Sequence, residues 1–156
     1  MHPTAARFRE RAREECEFDA QVEEFAEGTK TAADAADAVG CDVSQVVKSL
    51  VFDTDDGPVV VLTAGHHRVD EDALADALGV ETVGFADAET VKGATGWSIG
   101  GVPPFPHDSA VPVYLDESLR DNDRVWAAAG TPEAMFPLSS ADLERLTDPT
   151  PVRAFE

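Results

Sequence analysis

The chain has 156 residues, 43% of them hydrophobic, which suits one domain with one sizeable core and excludes a disordered chain. Its net charge is −19, from 31 acidic residues against 12 basic ones, and only Lys30, Lys48 and Lys92 are lysines. The acids are dispersed, as on a protein from a high-salt cytoplasm, so acidity alone does not exclude a nucleic-acid partner, and two cysteines, Cys16 and Cys41, exclude a disulfide framework.

In chain order, Pro3 to Glu15 reads as a helix in which Arg7, Arg9, Arg11 and Arg13 alternate with Glu10, Glu14 and Glu15. It is either a solvated face with Arg11–Glu15 and Glu10–Arg13 pairs, the favoured reading, or a contact for a polyanion. Glu17 to Phe25 is expected to form a first strand with Phe18 and Ala20, or Val22 and Phe25, turned inward. Thr31-Ala-Ala-Asp34 is a helix start and Gly40 a stop. After a short turn at 42–45, the run Val46-Val-Lys-Ser-Leu-Val-Phe52 is apolar and β-branched enough for a buried strand. Thr54-Asp-Asp-Gly57 turns the chain into a second strand, Pro58 to Thr63, and the two predict a hairpin.

Asp70 caps a helix that ends at Gly79, Val80 to Gly84 is a short strand, and Asp87 opens a helix to Lys92. Gly93 to His107 then holds four Gly, three Pro, Trp97 and Phe105, the composition of an ordered loop rather than a linker. Val111 to Leu115 is a strand whose Pro112 suggests a sheet edge. Arg124–Ala129 and Ala134–Leu138 are further strands, Ser139 caps a helix to Leu146, and the tail Val152 to Phe155 can join the sheet. The sum is a single α+β domain over 1–156, with 1–16 as an N-terminal helical extension. Its sheet is mixed, mainly antiparallel and curved, with six to seven strands and flanking helices.

Few residues stand out chemically. Lys48 lies in an apolar run, where it either snorkels to the rim or faces a pocket as one fixed cation for a phosphate, a carboxylate or an oxyanion. The adjacent His66 and His67 should point apart on any regular element, and no Cys/His spacing matches a metal site. Ser98 lies between glycines but lacks the following helix of a nucleophile elbow.

The lysine strand, the series Thr-Gly-Trp…Gly-Gly-Val-Pro-Pro-Phe-Pro-His107, and the later Val-Trp-Ala-Ala-Ala-Gly and Leu-Ser-Ser-Ala-Asp-Leu occur together and in order from about Thr29 to Leu146. This pattern resembles the YbaK/prolyl-tRNA-synthetase-associated domain, the free-standing aminoacyl-tRNA editing proteins. The resemblance implies hydrolysis of the ester of mischarged tRNA, with water as nucleophile, help from the substrate's ribose hydroxyl, and neither metal nor cofactor. It assigns substrate anchoring to Lys48 and shaping of the pocket for the 3′ end to the Gly100–Gly101 loop. Backbone N–H groups from Gly100 to Val102 are the expected oxyanion donors. Thr29, Thr31, Ser98, Val102, Pro103 and His107 complete the expected substrate-binding set, the two threonines having helix capping as their simpler role. The implied partners are the aminoacyl-tRNA 3′ end and prolyl-tRNA synthetase, for a cytoplasmic monomer without a membrane segment. Ala128, Ala129 and Met135 stand where some members carry polar residues, which leaves the amino acid removed open between small candidates such as alanine and cysteine. A nucleotide- or tRNA-end binding module without activity and a small-molecule esterase are the alternative functions.

Overall fold

The computed structural model describes residues 1–25 and 31–156. Among these residues eight strands form one sheet and five α-helices flank it. In chain order these are α1 (Pro3–Cys16), β1 (Glu23–Glu24), α2 (Ala32–Val39), β2 (Val46–Thr54), β3 (Gly57–Ala64), α3 (Glu71–Leu78) and β4 (Val83–Phe85). They are followed by α4 (Ala88–Thr95), β5 (Val113–Asp116), β6 (Arg124–Ala128), β7 (Ala134–Ser139), α5 (Ser140–Thr147) and β8 (Thr150–Val152). The sheet order is β1-β7-β6-β2-β3-β5-β8, with β4 added to β2. The pairs β1–β7, β2–β3, β2–β4 and β6–β7 are antiparallel, and β2–β6, β3–β5 and β5–β8 are parallel. The mixed, mainly antiparallel α+β architecture expected from the sequence is therefore present.

The helices start where short polar side chains can accept the first free N–H groups. Thr31, Asp70, Asp87 and Ser139 accept from the backbone of Asp34, Ala73, Thr90 and Asp142, each cap being worth about 1 kcal/mol. Period-two alternation in β2 sends Val47 and Val51 to one face and Val46, Leu50 and Phe52 to the other. The first face meets the main core, with Phe8 of α1, Trp97, Phe105, Leu115, Phe136 and Leu143 of α5. On the second face Val46 packs with Trp126 and Met135 under α2, while Phe52 and Val61 pack with Leu74 of α3. Lys48 interrupts the apolar row between these two outer clusters.

Several expectations are corrected. The strand expected over Glu17–Phe25 shrinks to Glu23–Glu24, because Phe18 and Val22 pack sideways on the core and Glu17 takes a left-handed backbone as the cap of α1. The helix expected to stop at Lys92 runs to Thr95 and is capped by Gly96, so the Gly/Pro loop begins later. Pro112 precedes β5 instead of marking an edge: β5 lies between β3 and β8, and the Pro112 carbonyl accepts the Val60 N–H. The tail joins the sheet through Thr150–Val152, with Phe155 adding a bridge to Val69.

The N-terminal helix is more than a solvated face. Ala5, Phe8 and Ala12 are fully buried. Arg7 and Arg11 lie over the Trp97 ring, 4.6 and 5.3 Å from its centroid, and Arg11 also holds Glu15 at 2.6 Å and Asp108 at 2.9 Å. No described helix is long and apolar enough to cross a membrane.

Candidate functional site: a cleft with one cation

The site arises from a parting in the sheet. β6 runs beside β2 only at Val46–Trp126 and Val47–Ala127, whereas β4 takes the same edge only from Phe52 to Thr54. Between them, around Lys48 to Leu50, β2 pairs with no described strand on that side. A cleft of about 590 Å³ opens there, bounded by the first turns of α2, by β2, by Gly65, by Gly100 and Val102, and by Ala128, Pro132, Ala134 and Met135. Its size is that of a small-ligand site. Among the described residues that line it, Lys48 is the only charged side chain.

Lys48 is thus on the cleft wall. It is half-buried, and its Nζ donates to the His67 carbonyl at 2.7 Å. Burial lowers the ammonium below its ordinary value. The Asp116 carboxylate opposes that fall and Arg68 adds to it. The carbonyl that holds Lys48 belongs to a tight turn, in which the His67 N–H returns to the Ala64 carbonyl. Because of that turn His66 and His67 do not point apart as expected for a regular element: their rings lie 3.9 Å apart. His67 Nδ1 meets Asp116 Oδ2 at 2.6 Å, and Asp116 also accepts the Ala64 N–H and both the N–H and hydroxyl of Ser118.

Burial alone would raise the Asp116 carboxyl. Its hydrogen bonds from His67, Ala64 and Ser118 outweigh burial and hold it below the usual carboxylate range. A depressed folded-state pKa contributes stability above the unfolded carboxylate value of about 3.9, and that contribution is lost as pH falls through the folded value. Asp116→Asn is therefore expected to lower the urea midpoint at neutral pH and to flatten its decline below about pH 4. Parallel midpoint-against-pH curves for the two proteins would remove Asp116 from the acid response.

The glycine loop is anchored from beneath. Trp97 is fully buried, and its Nε1–H donates to the Pro106 carbonyl at 2.8 Å. Ser98 to Gly101 is a turn closed by the Gly101 N–H on the Ser98 carbonyl at 3.0 Å, with Gly100 at φ +88°. That bond removes the Gly101 N–H from the expected oxyanion donors and leaves those of Gly100 and Val102. Gly100 and Val102 line the cleft with Lys48 and Thr31, whereas Gly101, Ser98, Pro103 and His107 do not.

Those four sit around the loop instead. Ser98 is exposed and Gly101 and Pro103 are buried. His107 donates Nε2–H to the Pro103 carbonyl at 2.9 Å, and burial pushes its ring below the ordinary imidazole value. Its geometry is that of a clasp on the loop. Thr31 caps α2, as its simpler role required, and its side chain also borders the cleft. Thr29 lies outside the described residues.

Two lining residues went unnoticed in the sequence. Gly65 has no room for a side chain, since a Cβ would stand 2.4 Å from the Val43 carbonyl oxygen and 3.0 Å from Ala32 Cβ. The Ser49 hydroxyl is buried without a hydrogen-bond partner. A single hydroxyl next to an informative lysine was the available signal for Ser49. Among the described residues, no cluster of three His, Cys, Asp or Glu side chains can hold a metal ion.

These features define an α+β domain whose cleft, among the described residues, is lined by one cation, two residues of the glycine loop and otherwise uncharged side chains. Residues 26–146 match the family model of the aminoacyl-tRNA editing domain, and the chain belongs to that family. It is 30% identical over 135 residues to the proline–tRNA ligase of Lactobacillus helveticus, a match that covers 82% of this chain and 24% of that protein. The chain thus spans about a quarter of the length of the ligase it matches. The uncharacterized protein YwhH of Bacillus subtilis is 29% identical over 127 residues, covering 81% of this chain and 80% of YwhH. A solved structure described as a candidate trans-editing enzyme for prolyl tRNA synthetase superimposes with a TM-score of 0.93 at 37% identity, over 100% of this chain and 99% of the other.

Proposed function

We propose that the protein hydrolyses the ester of mischarged aminoacyl-tRNA in trans, on a tRNA of the prolyl type. The observation that carries this reading is that Lys48 and Gly100 line one cleft in a chain of the editing-domain family. In this reading the Lys48 ammonium holds a phosphate or hydroxyl of the terminal adenosine. The aminoacyl group lies against Ala128, Ala134 and Met135, a wall that suits a small apolar side chain such as that of alanine or cysteine. Water attacks the ester carbonyl, and the N–H groups of Gly100 and Val102 stabilise the oxyanion. The ribose oxygen then leaves and takes a proton, giving a free amino acid and uncharged tRNA. Partnership with prolyl-tRNA synthetase, and action as a cytoplasmic monomer, belong to the same proposal.

The test is deacylation of tRNA specific for proline, charged with alanine, cysteine or proline, at several salt concentrations. The wild-type protein is expected to hydrolyse at least one mischarged form well above the spontaneous rate. Lys48→Met is expected to lose about 100-fold while keeping its circular dichroism spectrum. Its melting temperature should not fall, because methionine replaces a half-buried charge with an apolar side chain of similar length. Equal rates for the two folded proteins would sink the role of Lys48. Turnover of free aminoacyl esters without tRNA would move the assignment to a small-molecule esterase, and binding without turnover to a tRNA-end module.

A further inference from the structure

Lys48 has four rotatable bonds and hangs over an uncharged cleft, so something must hold its ammonium in one place. The partner is a main-chain carbonyl, that of His67. A carbonyl in a loop is only as fixed as the loop. This one is fixed from two sides, by the His67 N–H on the Ala64 carbonyl and by the His67 ring on Asp116.

Asp116 is itself held on several sides. It is 2% exposed, ends β5, and receives the Ala64 and Ser118 N–H groups as well as the Ser118 hydroxyl. A ring nitrogen 2.6 Å from a carboxylate oxygen carries the shared proton at Nδ1, so the imidazole is locked in orientation. The His67 ring also lies tilted against that of His66, 3.9 Å between centroids, and is stacked with the Phe155 ring at 6.0 Å. Among the described residues that line the cleft from α2, from the glycine loop and from β7, none carries a charge. Among the described residues, the charged groups acting on Lys48 are Asp116 and Arg68, and the His67 ring completes the cluster.

We infer that Asp116 and His67 form a positioning relay for Lys48: the carboxylate locks the imidazole, the locked turn presents the His67 carbonyl, and the carbonyl sets the lysine ammonium on the cleft wall. Neither residue touches the reacting ester; both act through the lysine. Asp116 has a second effect, because its negative charge favours an ammonium that burial disfavours. The relay gives a reason for a saturated, buried carboxylate 49 positions from its histidine in sequence and outside the cleft itself. Its effect on turnover rests on the editing reading; its effect on Lys48 does not.

The decisive experiment titrates Lys48 directly. The chain has only three lysines, Lys30, Lys48 and Lys92, so isotope-labelled lysine side chains give three resonance sets, and Lys48→Met identifies the one that disappears. In Asp116→Asn, which keeps the shape and removes the charge, the Lys48 midpoint should move to lower pH. An unmoved Lys48 midpoint in a folded Asp116→Asn protein overturns the relay.

Should that variant not fold, His67 carries the test. His67→Asn keeps an N–H donor close to the position of Nδ1, and His67→Ala keeps only the carbonyl. Deacylation is expected to fall about tenfold in His67→Ala and to recover in His67→Asn. Equal rates in His67→Ala and wild type overturn the relay. A moved Lys48 midpoint in a protein that hydrolyses no mischarged tRNA supports the relay and rejects the editing reading.

Discussion

Gly101→Ala should cost the protein both stability and turnover. A Cβ built on Gly101 stands 2.6 Å from Thr131 Cα and 2.8 Å from both the Gly130 carbonyl oxygen and the Thr131 nitrogen. These are backbone atoms of the connection between β6 and β7, which cannot rotate aside as a side chain can. Either the Ser98–Gly101 turn or that connection must move. Overpacking of this kind costs about 1–3 kcal/mol, and the displaced turn carries Gly100 away from Lys48. Gly100→Ala is the matched control. Gly100 has φ +88° and, among the described residues, only Pro132 Cγ near, at 4.0 Å, so alanine there brings left-handed strain of about 1–2 kcal/mol without a collision against them. Urea unfolding should rank Gly101→Ala below Gly100→Ala, and deacylation should be lost in the first. A Gly101→Ala protein with wild-type midpoint and rate would show that this contact yields freely. The requirement at Gly101 is close approach of two main chains, since its own φ is not positive.

The second large effect falls on Trp97. Its ring is fully buried, meets Phe8 edge-on at 6.1 Å between centroids and lies beneath two guanidinium groups. Trp97→Ala removes that volume and leaves the Pro106 carbonyl without its donor. Truncations of this type cost about 3–5 kcal/mol, a large share of the roughly 5–15 kcal/mol that holds an ordinary domain together. Trp97→Phe should recover part of the packing but not the hydrogen bond. The measurement is urea unfolding of the three proteins at one salt concentration. A loss under about 1 kcal/mol for Trp97→Ala would mean that α1 and the loop hold together without the ring.

How far these features could be read from the chain depended on how local their causes are. The helix starts at Thr31, Asp70, Asp87 and Ser139 were legible because a cap and its N–H lie three residues apart. The β2–β3 hairpin was legible for the same reason, its turn being Thr54 to Gly57. The glycine loop announced its order through Trp97 and its prolines. The β2–β6 and β3–β5 pairings were not legible, since parallel neighbours join residues far apart and leave no turn signal. Phe18 and Val22 looked like strand residues because alternation reports burial and not ladder formation. Lys48 could be singled out, but the cleft that receives it depends on where β6 leaves β2. His67 and Asp116, dozens of residues apart, had no spacing to betray them. Gly101 was singled out with Gly100 through the family resemblance, while the reason it must be glycine, a backbone neighbour thirty positions on, was out of reach.

That departure of β6 makes the cleft a wedge. Its apex is the Val47–Ala127 pair, and beyond Ala128 the chain leaves β6 for the connection at Gly130 and Thr131, whose backbone closely approaches Gly101. The spread of the wedge, and so the girth of whatever it admits, is set by the backbone contact at its open end as much as by the side chains inside. Changes to the Gly130–Thr131 connection can therefore retune which groups enter while leaving every residue of the inner wall as it is.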